Sequence, residues 1–241
     1  MKNIQLGIPP LSFEDLCTPE VLHEKIYPDL YKNYYWSDDF SPEYYIAQAK
    51  AGFIAVTDYY EGEQLLLPEI QFSYALLSPD ALHISRKVRK LLRDRQLSIE
   101  VGRALDEVAR EINASYKSCW LTEKYLETLK NTQDLDKNFQ VIAVTLKEDG
   151  KLIAGEIGYI LGKSYTSLSG FSSKEKRYRN YGTAQLVLLG QYLQENDCVL
   201  WNLGQTYMEY KLALGAKAYE RTDFLKQWFP AIQSPATLPV S

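Results

Sequence analysis

Histidine is almost missing from this chain: His23 and His83 are the only two among 241 residues. That excludes a multi-histidine metal centre and argues against a Ser-His-Asp triad, so no metal site is expected. Cysteine is nearly as sparse. Cys17, Cys119 and Cys198 are odd in number and show no C-x-x-C spacing. They read as reduced, mostly buried thiols of a cytoplasmic protein. No apolar run has the length of a membrane span, and the opening MKNIQLGIPP lacks the pattern of a signal peptide, so no membrane partner is expected. Positive charge is not in excess either: 27 Lys and Arg against 31 Asp and Glu leave a net charge of −4. Any nucleic-acid contact must therefore be a local patch. What remains for chemistry is positioning by amides, carboxylates and tyrosines. That set suits transfer from an already activated acyl donor to an amine, which needs little beyond orientation and proton handling.

The hydrophobic share of 46% is ordinary for a globular protein, and the length allows one large domain or two small ones. Residues 1–40, rich in proline, acid and tyrosine, read as loops with one short helix near 19–26. Ser41 caps a helix that Pro42 opens and Gly52 ends. The segments 53–60, 64–68 and 70–77 read as strands, giving a small N-terminal α+β domain over residues 1–79. The main domain is expected over 80–230, and the proline-bearing stretch 231–241 as a mobile tail.

From Asp80 the chain turns basic. Arg86, Lys87, Arg89, Lys90, Arg93 and Arg95 fall on a short helix whose inner face is Val88, Leu91 and Leu92. The fan of charge reads either as a solvated helix face or as a phosphate-contacting patch for RNA. Beyond it come a strand (97–102), an amphipathic helix (103–116) and a helix capped by Thr122 (123–131).

Residues 139–216 carry the clearest pattern. Strands at 139–146, 151–161 and 164–171 precede a charged loop, an apolar helix (185–196), a buried strand (198–204) and a second helix at about 206–214. The loop Arg179-Asn180-Tyr181-Gly182-Thr183-Ala184 has the form R-x-x-G-x-A at a helix start, where backbone N–H groups and the helix dipole favour phosphate. In this order of elements the segment resembles the GNAT acyltransferases, whose corresponding loop cradles the pyrophosphate of acetyl-CoA. The other reading of the loop is a helix start with a packing glycine. The fold class is accordingly α+β: a GNAT-like acyltransferase domain, with a mixed, mostly antiparallel sheet flanked by helices, behind the small N-terminal domain.

Three stretches are similar to the leucyl/phenylalanyl-tRNA–protein transferases. They are FSPEYYIAQAKAGF (40–53), LPEIQFSYALLSPDALHISRKVRK (67–90) with its Leu82-to-Arg86 core LHISR, and GQTYMEYKLALGA (204–216), followed by Asp223-Phe224. The resemblance implies aminolysis: the amine at a protein or peptide N-terminus attacks the ester joining an amino acid to the tRNA 3′ end. It further implies a cytoplasmic enzyme whose partners are an aminoacyl-tRNA and an acceptor N-terminus, with no cofactor; acetyl-CoA is the donor on the alternative reading. Trp120, Ser169, Phe171, Arg179, Gly182 and Thr183 are expected to bind the donor. Arg86, Lys87, Arg89, Lys90 and Arg93 are expected to bind tRNA.

The chain departs from that family in its acids. Leu203, or Asn202 after a one-residue shift, stands where the family has its catalytic acid two residues before the glutamine matched by Gln205. Leu168 or Ser169 stands at the acceptor-site glutamate, and Ile54-Ala55 replaces a Pro-Trp. Gln205 and Glu209 are four apart and would share a helix face, with Glu209 taking the amine proton while Gln205 polarises the carbonyl. Otherwise Glu209 is an exposed helix residue. Gln205, Glu209 and Asn202 are thus the catalytic candidates. The function expected is aminoacyl-tRNA-dependent acyl transfer. The alternatives are a CoA-dependent N-acyltransferase and a reduced relative that only binds.

Overall fold

A computed structural model of the chain describes residues 6–117 and 120–235. In chain order the elements are α1 (Phe13–Cys17), α2 (Pro42–Lys50), β1 (Ile54–Tyr60), β2 (Glu63–Glu69), β3 (Ser73–Leu77), α3 (Arg86–Arg95), β4 (Ile99–Gly102) and α4 (Leu105–Ser115). They continue with α5 (Glu123–Asn131), β5 (Phe139–Glu148), β6 (Lys151–Leu161), β7 (Ser164–Ser172), α6 (Tyr181–Glu195), β8 (Leu200–Asn202), α7 (Glu209–Ala213), β9 (Lys217–Glu220) and α8 (Arg221–Gln233). A π-helical turn occupies Val21–Ile26.

The fold is α+β. A seven-stranded sheet runs in the order β4-β5-β6-β7-β8-β3-β9, and β1 with β2 forms a separate hairpin. Every pairing is antiparallel except β7 with β8, which α6 connects as a crossover. The strands alternate strictly between two cores. Tyr74, Leu76, Val141 and Ala143 face a core shared with α2, α4, α5 and α8. Their neighbours Ala75, Leu77, Ile142 and Val144 face a second core under α3 and α6. The two-residue period of these strands is this division read along the chain.

The expected break at 79 does not divide the sheet. The strand assigned to the N-terminal unit, β3, pairs with β8 and β9 and lies inside the main sheet. Phe53 and Ala55 likewise share one core with Phe139 and Tyr159. The expected tail also needs correction, because α8 passes through Pro230 and ends at Gln233, with Ala231 buried and its carbonyl accepting from Lys163 N at 2.9 Å. Pro230 removes one helical hydrogen bond, and packing of Trp228 and Ala231 outweighs that loss. Residues 236–241 of the expected tail lie outside the described residues. Cys17 is exposed and Cys198 buried; Cys119 lies outside the described residues. Among the described residues no helix is long and apolar enough to cross a membrane, and no group of three or more His, Cys, Asp or Glu could hold a metal ion.

Candidate active site

The main sheet splits where β7 and β8 part. They pair only from Ser164 to Thr166 against Leu200 to Asn202, while β7 runs on to Ser172. Its outer half is also bulged: Ile157 pairs with Ser169 and Gly158 with Ser167, so Leu168 has no partner across β6. The gap between residues 167–172 and 203–211 is a cavity of about 640 Å³. The hairpin closes one side with Ile54, Val56 and Glu69, and Trp120 and the start of α6 close others.

The helix start is shaped for close approach. Asn180 takes a left-handed φ of 71° without a side-chain cap, and α6 begins at Tyr181, so Gly182 and Thr183 present first-turn N–H groups at the cavity wall. A Cβ on Gly182 would lie 2.9 Å from the Ser172 Cβ. Here the absence of a side chain is what lets the turn sit against β7.

Of the expected residues, the cavity gathers Gln205, Trp120, Ser169, Phe171, Gly182 and Thr183. Arg179 is exposed and does not line it. Asn202 is buried in β8, where its Oδ1 accepts from Gly204 N at 2.9 Å, so it shapes the turn that follows. Glu209 is exposed and outside the cavity. The shared-face argument fails because α7 starts at Glu209 itself: Met208 is extended, and Gln205 belongs to the preceding turn.

Gln205 meets a polar neighbour in its own turn. Its Oε1 accepts from the Tyr207 hydroxyl. Glu69, in the same cavity wall, accepts from Asn33 Nδ2 at 2.8 Å and Gln71 Nε2 at 3.4 Å, and the Gln205 side chain favours its charged form. Burial pushes the Glu69 carboxyl above its ordinary range, against the Tyr34, Asn33, Gln71 and Gln205 donors that pull it down.

A second polar group forms the inner end. Glu156, buried in β6, accepts from Tyr165 Oη at 2.7 Å and Ser167 Oγ at 2.9 Å, both at Oε1, and Trp201 Nε1 donates to the same Ser167 at 2.9 Å. Burial raises the Glu156 carboxyl. Opposite it, buried Lys211 donates from Nζ to the carbonyls of Leu203 and of Gln205, the latter at 2.9 Å, which fixes the turn carrying Gln205. Burial lowers the Lys211 ammonium to about 8, although the Glu156 charge works the other way. The sequence did hold a signal for Glu156, a lone acid inside the apolar strand AGEIGYIL, and none for Lys211.

The basic helix α3 presents Arg86, Lys87, Arg89, Lys90 and Arg93 to solvent over buried Val88. Leu91 packs by Tyr178 and Tyr181, and Arg95 bears electrostatically on Tyr181, so the end of α3 lies beside the start of α6.

A family model described as leucyl/phenylalanyl-tRNA protein transferase matches residues 76–228. A leucyl/phenylalanyl-tRNA–protein transferase of Pseudomonas fluorescens (strain Pf0-1) is 29% identical over 152 residues, covering 62% of this chain and 64% of that protein. One of Aeromonas hydrophila is 26% identical over 153 residues, covering 62% of each. The chain therefore spans just under two thirds of the length of these relatives. Among solved structures, L-PGS from Bacillus licheniformis superposes with a TM-score of 0.42 at 14% identity, covering 66% of this chain and 63% of that one.

Proposed function

The chain belongs to the leucyl/phenylalanyl-tRNA protein transferase family, and from that premise we propose that it moves an amino acid from the 3′ end of a charged tRNA to the amine of a protein or peptide N-terminus. The observation that carries this reading is Gln205, the residue the family resemblance singles out, held in the cavity wall with its Oε1 on the Tyr207 hydroxyl. A volume of about 640 Å³ accommodates an aminoacyl-adenosine.

The reaction is aminolysis of an ester. The acceptor nitrogen attacks the ester carbon and forms a C–N bond. The C–O bond to the tRNA ribose breaks, and the proton lost by the amine ends on the departing ribose oxygen. Gln205 Oε1 accepts an N–H of the attacking amine, and the Glu69 carboxyl in the same cavity wall favours the positive charge growing on that amine. Glu69, and not Glu209, is the carboxylate that shares the cavity wall with Gln205. Gly182 and Thr183 bind the 3′-terminal phosphate with first-turn N–H groups, Trp120 and Phe171 pack the adenosine, and the α3 cations hold the tRNA body. On this reading the sheet and its split after Thr166 amount to a GNAT-like acyltransferase architecture.

A CoA-dependent N-acyltransferase is the second reading, favoured by the α6 N-terminus at the cavity. Thermal melting separates the two, using acetyl-CoA and a set of non-hydrolysable 3′-aminoacylamino-3′-deoxyadenosines. A ligand at about 100 times its Kd stabilises by roughly 2.7 kcal/mol, which is readily seen. Stabilisation by at least one adenosine conjugate and not by acetyl-CoA supports the tRNA donor. The reverse pattern makes CoA the donor.

A further inference from the structure

The inner end of the cavity is polar where the names of the relatives specify Leu and Phe. Glu156, Ser167, Gln185 and Lys211 all line it, and Glu156, Gln185 and Lys211 are 3%, 3% and 5% exposed. Gln185 Nε2 is completely buried and has no hydrogen-bond partner, although it bears on Glu156. Lys211 Nζ spends two of its three N–H groups on backbone carbonyls, leaving one. Both hydroxyl donors to Glu156 converge on Oε1, so the carboxylate keeps accepting capacity. A leucine or phenylalanine side chain placed here would exclude water from these groups and satisfy none of them.

We propose that this end of the cavity is the side-chain subsite for the transferred amino acid, and that it selects an uncharged hydrogen-bonding side chain, an amide or a hydroxyl, over Leu and Phe. This rests on the tRNA-donor reading above. The charge balance argues for an uncharged group, because Glu156 and Lys211 offset one another and an added charge would be buried without a partner. A carboxamide or hydroxyl oxygen accepts from Gln185 Nε2 and the free Lys211 N–H, and the amide N–H or hydroxyl O–H of the same side chain donates to Glu156. The strand is built around this carboxylate. Gly158, two residues on and on the same face of β6, has no Cβ, and a Cβ there would collide with the Tyr165 hydroxyl that reaches Glu156.

The test is the dissociation constant of each 3′-aminoacylamino-3′-deoxyadenosine, measured calorimetrically on the full chain with Gln, Asn, Ser, Thr, Leu, Phe, Lys and Glu conjugates. The tightest ligand is expected to be an amide or hydroxyl conjugate, by at least about tenfold over Leu and Phe. Gln185→Leu is expected to narrow that ratio or invert it. A Leu or Phe conjugate binding tightest to the wild-type protein would overturn the subsite assignment and leave the donor reading standing, and a Lys or Glu conjugate binding tightest would do the same. If no conjugate binds while acetyl-CoA does, the donor reading and this inference fall together. The wild-type ranking decides the matter even if Gln185→Leu fails to fold.

Discussion

Arg221 is the residue whose loss should cost the fold most. It opens α8, is 1% exposed, and hydrogen-bonds no carboxylate among the described residues. Its guanidinium instead donates to backbone carbonyls: Nε to Gln71 at 3.1 Å, Nη1 to Ile26 at 3.2 Å and to Asp29, and Nη2 to Ile70 at 2.7 Å and Lys32 at 3.0 Å. One planar fork thus ties the 26–32 segment and the end of the β1–β2 hairpin to α8. Arg221→Met keeps the length of the side chain and deletes every donor. A buried acceptor left unpaired costs about 1–3 kcal/mol, and some of these carbonyls can relax toward water, so a net loss of about 4 kcal/mol is expected. For a chain of 241 residues that is a fall in Tm of about 8 °C. Arg221→Lys, with a compact head and fewer donors, should lose about half as much. Differential scanning calorimetry reads both, and limited proteolysis should find the 26–32 segment opened first. A fall of less than about 2 °C for Arg221→Met would refute the reasoning, because the carbonyls would then be as well satisfied without the guanidinium.

Other expectations follow from the site. Gly182→Asp should abolish binding of both adenosine conjugates and acetyl-CoA, by bulk against Ser172 and negative charge at the α6 start, and should lower Tm as the turn is pushed off β7. Reversing Arg86, Lys87 and Arg89 to Glu together should weaken tRNA binding and lower the slope of log K against log salt by about two to three in filter binding, leaving adenosine-conjugate binding unchanged. Lys211 gives a pH signature. Its folded value of about 8 lies below the ordinary lysine value of 10.5, so the unfolded chain holds the extra proton between them. Stability should therefore rise as pH climbs from about 8 to 10.5, and Lys211→Met should flatten that rise in urea melts.

The part of the fold made of local pattern could be read from the chain. The strands expected at 139–146, 151–161 and 164–171 are β5, β6 and β7 nearly to the residue, because apolar alternation and the Asp149-Gly150 and Gly162-Lys163 turns both mark them. The partners of β3 could not be read, since β8 and β9 lie more than a hundred residues further along and no local signal selects them. The same limit applied to the site. Gly182 and Thr183 stand in the R-x-x-G-x-A motif, and Gln205, Trp120, Ser169 and Phe171 come from the family resemblance. Glu69, Glu156 and Lys211 come from a hairpin, a strand and a helix that only the tertiary fold brings together. Glu209 was chosen on a helix assumed to begin at 206, and a start three residues later removed its shared face with Gln205.

The most direct test of the account is transfer itself. The protein is incubated with total aminoacylated tRNA and a peptide mixture differing only in the first residue, and the products are read by mass spectrometry. The account predicts that at least one peptide gains a single amino-acid residue at its N-terminus, that deacylated tRNA abolishes the gain, and that Gln205→Ala reduces it at least about 100-fold while leaving Tm and adenosine-conjugate binding near wild type. No mass gain on any peptide, with charged tRNA bound, would contradict it and leave a protein that binds without transferring.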